Sequence, residues 1–110
     1  MPLFRRRAPS LDAMQRFPYL SDLLGGYFHQ DAYDDDQDDE AIMRTFRQTS
    51  WEYQRLGVRA DIRRFLHQHA GELLNAVELA FRPCIIVGST DDDARAWLMK
   101  IDALLDERAT

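Results

Sequence analysis

Cysteine is nearly missing from this chain: Cys84 is the one thiol in 110 residues. That excludes an internal disulfide and points to a reducing compartment. No apolar run comes near the ~20 residues that a membrane-spanning helix needs. Arg5, Arg6 and Arg7 look like the start of a secretion signal, but no apolar stretch follows, because Leu11-Asp12-Ala13-Met14-Gln15-Arg16 is mixed. Export is therefore not expected, and a cytoplasmic location is. Repeats and linkers are absent too, and Leu24-Gly25-Gly26-Tyr27 follows a helical pattern rather than a strand, so it is no phosphate loop. One short run, Cys84-Ile85-Ile86-Val87-Gly88, has strand character. With no second strand to pair with, it is expected as a buried extended connector.

What is present suits one folded domain spanning 1–110. Hydrophobic residues at 45% and aromatics at 11% place the chain among globular rather than disordered proteins. The length carries one core, not two. The formal net charge is −5, from 14 basic and 19 acidic residues. Seven of the ten residues from Asp31 to Glu40 are acidic, and without this window the balance is 14 basic against 12 acidic. The acidity is thus local, which suggests placement for a purpose.

The periodicity predicts an all-α bundle of about five helices, with an irregular acidic loop after the second helical segment. Residues 1–9 are expected as a loose basic leader. Ser10 caps a short helix to about Arg16; Phe17-Pro18 interrupts it, and Pro18 opens a second segment to Leu24. Gly25-Gly26 ends that segment, one glycine serving as a left-handed cap. Tyr27 to Gln37 reads as loop. Asp38, Asp39 and Glu40 then suit the positive start of a helix to about Gln48, with Ile42, Met43 and Phe46 inward and Arg44 and Arg47 outward. Ser50 is the expected cap for a helix from Trp51 to about His69, with a kink or break possible at Gly57. Its inward face is read as Leu56, Ala60, Ile62, Phe65, Leu66 and His69. A shorter helix follows from about Glu72 to Phe81, with Leu73, Leu74, Val77, Ala80 and Phe81 inward. Ser89 or Thr90 caps the last, from Asp91 to about Arg108, whose stripe is Ala94, Trp97, Leu98, Ile101, Leu104 and Leu105.

Catalytic and metal chemistry is mostly absent. A calcium loop starting at Asp34 has acidic residues at Asp34, Asp36 and Asp38, but Asp39 stands where glycine is needed and Thr45 where glutamate is needed. His67 and His69 are two apart on a helix and point in different directions, unlike a zinc pair; a surface His67 and a partly buried His69 are expected. Cys84 with His29 and Asp31 makes a triad only on paper. Hence no catalytic residue, no metal ligand and no cofactor is assigned, and the chain is not read as an enzyme. The middle helices are rich in arginine, but the acidic run opposes nucleic-acid binding. Neither a membrane nor a small-molecule substrate is implied. The acidic run, with Tyr33 in it, reads instead as a surface for a basic protein partner.

From Phe17-Pro18-Tyr19-Leu20 through Leu24-Gly25-Gly26-Tyr27-Phe28-His29-Gln30-Asp31 to Asp39-Glu40-Ala41-Ile42, the chain resembles the immunity proteins of bacterial contact-dependent growth inhibition. The match is dense over residues 17–42 and loose beyond, where a helical chain closes on Trp97-Leu98. It departs at Ala32-Tyr33, where family members often have tryptophan after the aspartate. The resemblance implies a small cytoplasmic protein that forms a heterodimer with the C-terminal toxin domain of a large exoprotein, often a nuclease. On that reading Tyr33, Asp34, Asp35, Asp36, Asp38, Asp39 and Glu40 are the candidate toxin-binding residues. Gly25, Gly26, Tyr27, Phe28, His29, Gln30 and Asp31 are candidates for a structural turn. The alternative is an acidic regulator of a basic nucleic-acid-binding partner.

Overall fold

The computed structural model describes residues 9–28, 38–81 and 88–106. Among these stand six helices and no strand: α1 (Leu11–Arg16), α2 (Pro18–Gly26), α3 (Asp39–Thr49), α4 (Glu52–Gln68), α5 (Leu73–Phe81) and α6 (Asp91–Leu105). The all-α expectation holds, with six helices instead of about five. The first turn before Phe17 forms a helix of its own, with the Ser10 hydroxyl accepting from the Ala13 N–H at 3.1 Å. The basic leader through residue 8, the segment 29–37, the connector at Cys84 and the helix end at Arg108 lie outside the described residues.

Helix α4 is the axis of the molecule, with α2 packed on one side and α6 on another; α5 and α3 also pack on α6, and α1 on α2. Three phenylalanines join α1–α2, α4 and α5. Phe17 meets Phe65 edge-on at 5.2 Å, and Phe65 lies 5.0 Å from Phe81. Burying aromatic rings of this size contributes the largest single terms to such a core.

Four expectations need correction. Both Gly25 and Gly26 lie within α2, whose cap is Tyr27 in a right-handed conformation (φ −111°, ψ −38°). The N–H groups of Tyr27 and Phe28 both donate to the Leu23 carbonyl, at 2.9 and 3.3 Å, so the helix closes without a left-handed residue. Ser50 ends α3 rather than starting α4. Its N–H donates to the Phe46 carbonyl at 2.9 Å, and its own carbonyl accepts from Arg55 Nη1 at 2.6 Å. The cap position of α4 falls to Trp51, whose N–H donates to the Gln54 side chain at 2.7 Å.

Third, α4 runs through Gly57 without a break. A Cβ there would lie 2.4 Å from the Tyr19 ring, so the glycine is a seat for an aromatic from α2. Fourth, the inward face of α4 is Val58, Ile62 and Phe65, with Asp61 among them; Leu56 and Ala60 face solvent. On α5, Ala76 is buried, while Leu74 and Ala80 are only partly covered. The stripe of α6 is as expected, with Leu104 partly covered.

Thr90 caps α6 through Asp93 N–H at 3.1 Å, and the Asp93 carboxylate accepts from the N–H groups of Ser89 and Thr90 at 2.9 and 3.2 Å. Gly88, at φ +141°, lets the chain come this close, because a Cβ would sit 2.1 Å from that of Asp93.

Candidate functional site

The segment that carries most of the acidic run is held at both ends by one side chain. Before it, Phe28 is fully buried and meets the Trp97 ring edge-on at 5.5 Å. After it, Asp39 accepts a hydrogen bond from Trp97 Nε1 at 3.1 Å. Trp97 sits on α6, whose regular apolar stripe fixes its position. Lys100, one turn on, adds an ion pair to Asp39 at 3.7 Å. Tyr27, the cap of α2, is tied to α3: its ring packs on Phe46 at 5.0 Å and its hydroxyl lies 3.0 Å from Thr49 Oγ1.

Three of the seven candidate toxin-binding residues fall among the described ones, and they differ in what they do. Asp38 is the N-cap of α3, accepting from the Ala41 N–H at 2.8 Å. Asp39 is turned to Trp97. Glu40 is exposed and lines a cleft of about 710 Å³ with Arg44, Arg47, Gln48, Arg55, Leu104 and Leu105. Tyr33, Asp34, Asp35 and Asp36 lie outside the described residues, as do His29, Gln30 and Asp31 of the motif.

Asp38, third in the calcium pattern, is thus occupied as a helix cap. His67 is exposed and His69 partly buried, 4.6 Å from the Phe65 ring, the placement expected of each. Among the described residues no three His, Cys, Asp or Glu side chains gather in a way that holds a metal ion. Nor is any described helix long and apolar enough to cross a membrane.

Two charged networks were not legible in the sequence. Asp61, buried on α4, accepts from the N–H groups of Tyr19 and Leu20 at 2.9 and 3.0 Å, capping α2 from across the core. Arg64 pairs with Asp61, donates to the Arg16 carbonyl at 3.0 Å, and covers the Phe17 ring at 5.1 Å. The one available signal was an aspartate sitting at helical spacing between Val58 and Phe65. Arg59 joins α4 to α6 through Asp102 at 2.9 Å and Asp106 at 2.8 Å. Its bond to Asp102, and then that to Asp106, hold its proton more tightly than usual, against the opposing effect of burial.

These features describe a small helical scaffold that exposes acidic residues at the start of α3 and shows no catalytic grouping among its described side chains. No curated protein and no solved structure matches the chain. A family model described as CdiI immunity protein does match, over residues 16–105, which takes in all of α2 to α6. The chain therefore belongs to the CdiI immunity protein family, the immunity proteins of contact-dependent growth inhibition.

Proposed function

We propose that this protein binds the C-terminal toxin domain of a cognate exoprotein as a heterodimer in the cytoplasm and neutralises it without catalysis. The observation that carries this reading is the family match across residues 16–105. The charge pattern suggests the kind of toxin. A nuclease presents positive charge to its substrate, and seven acidic residues between Asp31 and Glu40 complement such a surface. Complementary charge accelerates association, which matters for an inhibitor that must reach each toxin molecule before it acts.

Within this reading the end of α2 and the acidic run that follows it have different jobs. Gly25 to Phe28 close α2 and anchor the chain ahead of the acidic run, a role supported by the burial of Phe28 and the packing of Tyr27. Tyr33 to Glu40 meet the toxin, with Asp38 and Asp39 also fixing the start of α3. Inhibition follows from covering the toxin's substrate surface.

The test is association kinetics with the neighbouring toxin domain across a salt series. Converting Asp34, Asp35 and Asp36 together to lysine is expected to slow association at low salt and remove most of its salt dependence, with the helical fold intact. Unchanged protection of toxin-expressing cells by this triple variant would count against the acidic run as the contact.

A further inference from the structure

The corner between α3 and α4 contains a residue that the fold does not account for. Trp51 holds the cap position of α4, where Ser, Thr, Asp or Asn would satisfy an N–H of the first turn. Its side chain makes no such bond and is 71% exposed. A large aromatic that breaks a local rule and gains no burial marks a place shaped by something other than stability.

Arginines from α3 and α4 meet at the corner beside Trp51, with Glu52 next to it in the chain. Arg55, one turn on and on the same face of α4, donates through Nη1 to the carbonyls of Ser50 and Arg47, at 2.6 and 3.2 Å. These bonds fix the corner. Arg55 also lines the cleft of about 710 Å³. The α3 wall of that cleft is a stripe at helical spacing: Glu40, Arg44, Arg47 and Gln48. Charge therefore changes sign along α3, from the acidic start to Arg44 and Arg47 in its second half, with Arg55 of α4 beside them, on a protein whose total is −5. Charge complementarity calls for a carboxylate-bearing partner segment at this end, and Trp and Arg are the residues that most often anchor interfaces.

Building on the toxin-binding reading above, we infer that this corner is a second toxin contact. Trp51 and the cleft lined by Arg44 and Arg55 take a carboxylate-bearing segment of the toxin domain, while the acidic start of α3 takes its basic surface. Opposite charges at the two ends of α3 then set the orientation in which the toxin docks and reject a reversed one.

The experiment measures binding of the neighbouring toxin domain to the full chain and to Trp51→Ser, Arg44→Glu and Arg63→Glu. Serine is a better cap than tryptophan, so Trp51→Ser is expected to keep or slightly raise the melting temperature while weakening binding about tenfold, chiefly through faster dissociation. Opposite effects on stability and affinity separate docking from a structural role. Arg44→Glu is expected to weaken binding about tenfold, and Arg63→Glu, the same charge change on an exposed part of α4 outside the cleft, less than threefold. Affinities within twofold of wild type for both Trp51→Ser and Arg44→Glu would overturn the inference and leave the toxin-binding reading standing. So would equal losses for Arg44→Glu and Arg63→Glu, which would signify general electrostatics. A wild-type dimer that Trp51→Ser breaks, with toxin affinity unchanged, would assign the corner to a second copy and overturn it too. Failure of the wild-type chain to bind would remove both readings.

Discussion

Two helices of this protein start on an aromatic residue that offers no oxygen to the first turn. Phe17 precedes α2 and is 2% exposed; Trp51 precedes α4 and is 71% exposed. At the first, the missing cap is replaced from a distance: Asp61 on α4 accepts from two N–H groups of α2, and Arg64 balances the buried carboxylate. At the second, Gln54 accepts from the Trp51 N–H, and among the described residues no side chain stands in for the missing cap on the first turn. The same local defect is compensated where the aromatic serves the core and left uncompensated where it faces solvent. Under the docking inference above, compensation separates the aromatic that serves the core, Phe17, from the one proposed to meet a partner, Trp51.

The contrast breaks most severely at Asp61. Replacing it with alanine strands one buried and one part-buried N–H group and leaves Arg64 unbalanced, at an expected cost of about 3 kcal/mol in chemical denaturation. A loss below ~1 kcal/mol would show that the distant cap is dispensable. Gly57→Ala tests the same helix pair by sterics. Alanine favours helix, yet its Cβ would meet the Tyr19 ring at 2.4 Å, so a net loss of ~1–2 kcal/mol is expected. Pairing it with Tyr19→Ala is expected to reverse the sign, and a double-variant thermal melt checks this. Trp51→Ser stands at the other end of the scale, with a change between zero and a gain of ~1 kcal/mol in the same assay.

The smallest effect is expected from the properly formed cap of α6, which supplies a reference for both defective ones. Asp93 is held below the usual carboxylate range, first by the Ser89 N–H and then by Thr90. A carboxylate with a lowered folded value stabilises above its unfolded value near ~4, and that contribution fades as pH falls through the folded value. Melting temperatures of wild type and Asp93→Asn should therefore differ at neutral pH and converge in acid. A gap that persists below pH ~2 would assign the effect to something other than charge.

Most helix positions were readable because their signals are local. Ser10, Pro18 and Thr90 mark starts that depend on nothing distant, and the stripe of α6 has one regular period. The readings that failed involve long-range partners. Leu56 and Val58 are equally apolar, and only the placement of α2 and α6 around α4 decides that Val58 turns inward. Gly57 looks like a weak point until Tyr19 is set against it. Ser50 looks like a cap until Arg55 claims its carbonyl. In the candidate site, the acidic run was visible as composition, whereas Trp51 was not, because a tryptophan in sequence reads as core and its exposure is a fact of packing.

Trp97 has a consequence for how such a protein can change. It contacts both Phe28 and Asp39, so the ten residues from 29 to 38 join two fixed points whatever path they follow. Closing a longer segment between the same points costs little, about 0.6 kcal/mol for each doubling of length. On the proposed toxin-binding reading, changes between Ala32 and Gln37 are then expected to alter the partner at little cost to the helices, so a new toxin would call for rewriting a cassette rather than rebuilding a protein.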